Sequence, residues 1–270
     1  MLSEIRPPSR FSLGLTDLWN YRELFYFFAW RDVKLKYKHT YLGVAWAVLQ
    51  PLLLMLVFTA FFGGRMREET DLPYPVFAFT GLLLWGVFAA GLAGAGNSMV
   101  SNAHIIRKIY FPRLIIPVSS VMVALFDFLM ALPLLAAILF WYGLLPKPSA
   151  LAYFASGLIL ATAATLGIGC WMGALSVKYR DFRYVLPFVV QLLLFVTPVI
   201  YPATYVKAHW MQLLLAVNPM TGAMGLFRGM FSEVPLDWRV TGISALSAAA
   251  LFALGFWYFR RTEAYFADLA

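Results

Sequence analysis

The sequence predicts an all-α polytopic membrane protein: six transmembrane helices, an amphipathic N-terminal helix in the membrane interface, and a re-entrant helical hairpin between helices five and six. Three observations carry this. Of 270 residues, 62% are hydrophobic and 13% charged, against roughly 45–50% and about a quarter in soluble domains. The mean hydropathy is +0.76. The charge-poor stretches are also long enough to cross a hydrocarbon core, which takes roughly 20 residues each. They are apolar on every face, whereas the strands of a membrane β-barrel would alternate. A soluble enzyme, a disordered chain and a disulfide-built module are excluded on the same composition.

Residues 1–41 form a cytoplasmic and interfacial start. They carry Arg6, Arg10, Arg22, Arg31, Lys34, Lys36 and Lys38, with no clean apolar core of a cleavable signal peptide. Asn20 and Glu23 have capping-box spacing. Leu24, Phe25, Phe27, Phe28 and Trp30 then precede the basic block. This run is too short to cross a bilayer and suits a helix lying in the interface; a plain juxtamembrane anchor is the alternative. The spans follow at about 42–62, 76–96, 117–141, 151–176, 184–204 and 240–259 of one domain covering 1–270. Between the last two, 210–217 and 221–231 are apolar and Asn218-Pro219 interrupts them. Proline cannot continue a helix and restricts the residue before it. Each piece is about half a membrane long, so the pair reads as two re-entrant half-helices on the outer side, with a surface loop as the alternative.

The net charge is +8. In a soluble chain that would suggest nucleic acid, but here the cations crowd the ends of apolar runs, and no nucleic-acid partner is expected. Of the 21 Lys and Arg, fifteen fall on the side of the N-terminal segment. The remaining six, Arg65, Arg67, Lys147, Lys207, Arg228 and Arg239, fall on the other. The positive-inside rule therefore places both termini in the cytoplasm of a multi-pass protein.

Site chemistry is sparse. Gly91-x-x-x-x-Gly96-Asn97-Ser98 lacks the lysine of a phosphate loop and closes an apolar helix, so it reads as close helix packing. Gly169-x-x-x-Gly173 and Gly225-x-x-x-Gly229 read the same way. His39, His104 and His209 fall on different segments, and Cys170 is the single cysteine, so no metal site is expected. No catalytic motif appears. Asp127 lies near the middle of span three. A charge there marks function or a specific partner; the two readings are a helix–helix hydrogen bond to a Ser, Thr or Tyr on a neighbouring span, and a proton-carrying group.

With the segments laid out, the chain resembles the permease subunit of ABC-2 type polysaccharide exporters, the O-antigen and teichoic-acid class. The resemblance rests on Arg31-Asp32-Val33-Lys34-Leu35-Lys36-Tyr37-Lys38 leading into Tyr41-Leu42-Gly43-Val44-Ala45-Trp46-Ala47-Val48-Leu49-Gln50-Pro51. Ile109-Tyr110-Phe111-Pro112-Arg113, Tyr179-Arg180-Asp181, Thr197-Pro198-Val199-Ile200-Tyr201 and Asn218-Pro219-Met220 extend it over nearly the whole chain.

The resemblance implies a non-enzymatic homodimer in the inner (cytoplasmic) membrane, paired with two copies of a cytoplasmic ABC ATPase. ATP would bind there, so this chain would need no cofactor. The cargo would be a polyprenyl-diphosphate-linked glycan. Arg31, Lys34, Lys36, Lys38 and Tyr41 would meet its headgroup and the membrane lipids, and Trp46, Phe58, Phe188, Phe195 and Tyr201 would line the channel. His104, Ile105, Ile106, Arg107 and Lys108, within a coupling segment at about 101–112, would contact the ATPase. Asn218, Pro219, Met220 and Gly225 would form an outer gate. Two rivals are a proton-coupled carrier built on Asp127 and a membrane-bound polyprenyl-phosphate sugar transferase. For the transferase, the inside loops offer Asp32 and Asp181 but no acidic cluster.

Overall fold

The structure is a computed structural model that describes residues 19–38, 40–108, 111–263 and 266, and not the side chain of His209. The expectations for Arg6, Arg10, His39, the His209 side chain, Ile109 and Tyr110 lie outside the described residues. Regular secondary structure among the described residues is entirely helical. In order it comprises α1 (Arg22–Tyr37), α2 (Ala45–Met66), α3 (Tyr74–Ser101), α4 (Ala103–Ile106), α5 (Ile115–Trp141), α6 (Ala150–Lys178), α7 (Phe182–Val196), a 3-10 turn (Ala203–Tyr205), α8 (His209–Val217), α9 (Pro219–Gly229) and α10 (Trp238–Thr262).

Five of these, α2, α3, α5, α6 and α10, are long and apolar enough to cross a membrane. The expected fifth span differs. Its helix, α7, has 15 residues and stops at Val196 rather than continuing to 204. Thr197 turns extended and Pro198 has no amide to continue the ladder. At the other end of the chain, α1 begins after Tyr21 with no side-chain cap, so the capping box expected from Asn20 and Glu23 does not form.

Helix α3 is the axis of the bundle, with residues such as Val76, Phe79, Leu84, Leu92 and Met99 fully enclosed. Helices α5 and α6 pack along it, α2 and α7 flank it more loosely, and α10 lies against α6. Small residues set these approaches. A Cβ on Gly255 of α10 would stand 1.9 Å from the Gly167 carbonyl oxygen of α6, so the two backbones touch. Gly169 and Gly173 of α6 meet Ala95 of α3, while Gly91 and Gly96 of α3 meet Thr165 and Leu186. The phosphate-loop echo is thus a packing face, as small-residue motifs in membranes commonly are.

The second core cluster gathers one pole of the bundle. Phe28 of α1, Met99, Ile106, Phe111, Ile115, Ala174 and Phe259 share it. Basic residues follow its members closely in the chain: Arg107 and Lys108 come after Ile106, Lys178 lies one helical turn beyond Ala174, and Arg260 and Arg261 come after Phe259. At the opposite pole Ser232 donates to Asp71, and the Lys147 amide donates to the Met230 carbonyl at 3.1 Å.

Candidate functional site

Helix α1 does not lie apart from the bundle; it runs along α5. Phe28 seats against Phe111 with ring centroids 5.4 Å apart. Arg31 pairs with Asp32 at 2.7 Å and donates to Asn102 at 2.8 Å. One helix end further on, the Lys36 ammonium and the Tyr37 hydroxyl both donate to the Asp127 carboxylate. The partner of the mid-span acid is therefore a tyrosine as expected, but it comes from the N-terminal helix with a lysine beside it, and not from a neighbouring span. Burial and the Asp127 carboxylate push the Tyr37 phenol above its ordinary pKa, so it stays a protonated donor.

These three residues close one side of a cavity of about 340 Å³ between α1, α2, α3 and α5, with Leu194 of α7 at its edge. Trp46 and Trp85 supply aromatic walls, Gln50 an amide and Gly86 an open patch of α3 backbone. Pro51, inside α2, removes the amide that would bond the Ala47 carbonyl, and both residues line the cavity. The chamber is apolar and aromatic for most of its wall and carries its charge at one rim. That arrangement suits an amphiphile with a polar head and an apolar body.

The remaining predicted residues fall in distinct places. Lys34, Lys38 and Tyr41 are exposed and flank the cavity's sequence neighbours, while Arg31 is half-buried in its own network. Of the expected channel residues, Phe188 and Phe195 are exposed on α7, and Phe58 is half-buried with its ring tilted at 52° to that of Phe62. Tyr201 folds back, its hydroxyl 3.0 Å from the Val196 carbonyl oxygen. The expected coupling segment divides: His104, Arg107 and Lys108 are exposed, but Ile106 belongs to the core. No group of His, Cys, Asp and Glu suited to a metal occurs among the described residues.

At the far pole the break at Asn218-Pro219 forms as predicted. Asn218 caps α9 by accepting from the Met220 amide at 3.0 Å, and Pro219 sits in the first turn, where its missing amide costs nothing. Pro219 and Met220 are buried. Helix α9 is enclosed by α6, α10 and α3, whereas α8 is largely exposed. The tight glycine on α9 is Gly222, whose Cβ would meet Ser244 at 2.5 Å; a Cβ on Gly225 meets only Leu236 at an ordinary 3.4 Å.

One residue has a role that its count among the charges did not reveal. Arg228, counted as an outer-side charge, is 9% exposed. It donates to the carbonyls of Pro198, Val199 and Phe77 at 2.9, 2.7 and 3.0 Å and lies 3.5 Å over the Phe77 ring. An arginine inside an otherwise apolar segment was the available signal.

The ABC-2 type transporter family matches residues 23–232. The chain is 30% identical over 240 residues to the O-antigen export system permease protein RfbA of Myxococcus xanthus, covering 88% of this chain and 92% of that one. A Klebsiella pneumoniae protein of the same name is 29% identical over 244 residues, with the same coverage. The polysialic acid transport protein KpsM of Escherichia coli is 25% identical over 233 residues, covering 83% and 85%. A family match over more than half of the chain, joined by relatives that align along most of its length, makes this multi-pass membrane protein a member of the ABC-2 type transporter family.

Proposed function

We propose that the chain is the permease subunit of an ATP-driven exporter that moves a polyprenyl-diphosphate-linked polysaccharide, such as an O-antigen, across the inner membrane. The observation that carries this reading is the alignment along 88% of the chain with a permease named for O-antigen export. The cavity supports it: aromatic walls from Trp46 and Trp85 accept sugar faces and an apolar body, and Lys36 stands at the rim for an anionic head. Exposed Lys34, Lys38 and Tyr41 extend that rim toward the headgroup layer, where each basic residue contributes about 1 kcal/mol.

In this reading two copies form one transmembrane domain each, with both termini cytoplasmic, and each pairs with a separate ATPase that binds ATP. The basic pole faces the cytoplasm, and His104, Arg107 and Lys108 meet the ATPase. Helix α7 completes a sixth crossing together with the turn after it. Helix α1 is the interfacial helix, and α8 with α9 is the re-entrant hairpin behind an outer gate that includes Asn218, Pro219, Met220 and Gly225. The exposed apolar faces of α2 and α7, Phe188 and Phe195 among them, border the conduit.

The test is reconstitution of the chain with the ATPase subunit this reading requires. ATP hydrolysis stimulated by a lipid-linked glycan, and glycan delivery to the opposite face, are expected. Delivery that persists without the ATPase and follows a proton gradient would overturn the reading.

A further inference from the structure

We infer that Arg228 is a positioning residue, which fastens α9 to the outer end of α7 so that the two move as one body; this rests on the exporter reading above. The argument starts at the break after Val196. Once α7 stops, residues 197–200 expose carbonyls that no helix satisfies, and at membrane depth each needs a protein donor.

The Thr197 carbonyl accepts the Val199 amide within the turn at 2.7 Å, and the donors to the next three come from α9 and α3. Arg228, in the last turn of α9, bonds the Pro198 and Val199 carbonyls at 2.9 and 2.7 Å. Asn218, at the first residue before α9, donates its amide to the Thr197 hydroxyl oxygen at 2.8 Å. Tyr74, at the start of α3, donates to the Ile200 carbonyl at 3.0 Å. Both ends of α9 thus hold one short turn of chain, and that turn is the C-terminal stop of α7.

The fork of the guanidinium is what makes the joint. It reaches three carbonyls at once, a geometry that an ammonium on a lysine stem does not reproduce. Space for it is reserved: a Cβ on Gly81 would stand 2.4 Å from the Arg228 Nη2 atom and 2.6 Å from the Val199 oxygen. Motion within α7 is left to Pro187, which removes the helix's own bond to Arg183.

The experiment uses the full chain with its ATPase, in a Cys170→Ala background. Thr197→Cys and Asn218→Cys replace the hydrogen-bonded pair, and the two thiols are joined by a disulfide or a short cross-linker. The cross-linked form should export at least as well as the reduced form. Arg228→Lys, compared at equal membrane level, should export on the order of tenfold less while ATP hydrolysis continues, and the cross-link should restore export. A merely structural arginine would not be rescued in this way. Export lost on cross-linking and regained on reduction would overturn the joint, as would normal export by Arg228→Lys, or no rescue. If Arg228→Lys does not accumulate, the cross-link in the Arg228 protein decides alone.

A second readout does not depend on export. In the purified Arg228→Lys protein, amide exchange at Thr197, Val199 and Ile200 and at 220–229 should rise together by about tenfold. A rise in one segment without the other overturns the joint. Absence of polysaccharide export by the unaltered complex would instead sink the exporter reading and leave this measurement standing.

Discussion

Asp127→Asn separates two uses of a mid-span carboxylate. In the structure Asp127 receives Lys36 and Tyr37 of α1. Asparagine keeps a carbonyl oxygen for the tyrosine and loses the ion pair. The lysine side chain is 42% exposed and that of the aspartate 19%, so the pair is discounted to about 0.2–1 kcal/mol. Turning the tyrosine bond from charge-assisted to neutral removes about 1 kcal/mol more. The total, about 1–2 kcal/mol, raises the detached population of the α1 end by a factor of roughly 5–30.

Helix α1 stays docked through Phe28, Val33 and the Arg31–Asn102 bond, so the loosening should be local. The assay is hydrogen exchange of the purified complex together with export in vesicles supplied with ATP. Exchange should accelerate in the last turns of α1, and export should fall by no more than the same factor and ignore collapse of the proton gradient. Combined with Lys36→Met, the two losses should be less than additive. Abolished export with unchanged α1 exchange would refute the reasoning and put the carboxylate in the transport step itself.

Gly255→Ala forces the α6 and α10 backbones apart and should lower the thermal midpoint by several degrees, whereas Gly242→Ala, which meets open space, should not. The pair is read by thermal unfolding in detergent, and an unshifted Gly255→Ala would refute the contact. His104→Glu with Arg107→Glu should abolish co-purification of the ATPase at normal membrane level, while Ile106→Asp should lower the membrane level itself because Ile106 is core. Gly222→Leu should cause ion leak or misassembly through its collision with Ser244, and Gly225→Ala should be silent; leak from Gly225→Ala alone would reverse that assignment. Lys34→Ala with Lys38→Ala should reduce export without changing topology, as judged by labelling of single cysteines on each side.

Some of this protein was legible from residues alone because the signals are local. Apolar length set the long helices, and the clustering of cations marked one pole. Asn218-Pro219 had to break the apolar segment between α7 and α10, since proline lacks an amide and constrains its neighbour. The resemblance read from the Arg31 to Pro51 block named the family before any contact was known. What sequence could not assign was which face meets what. The most apolar 18-residue stretches of α2 and α3 have the same mean hydropathy, 2.0, yet 6% of one stretch and 78% of the other is buried. In lipid an apolar residue is at home on either side of a helix, so no amphipathic period records the interior. The Lys36–Tyr37–Asp127 cluster, the closure of Gly255 on Gly167 and the enclosure of Arg228 were therefore decided only when the helices packed. Each depends on residues far apart in the chain, brought together by backbone groups and charges that lipid cannot satisfy.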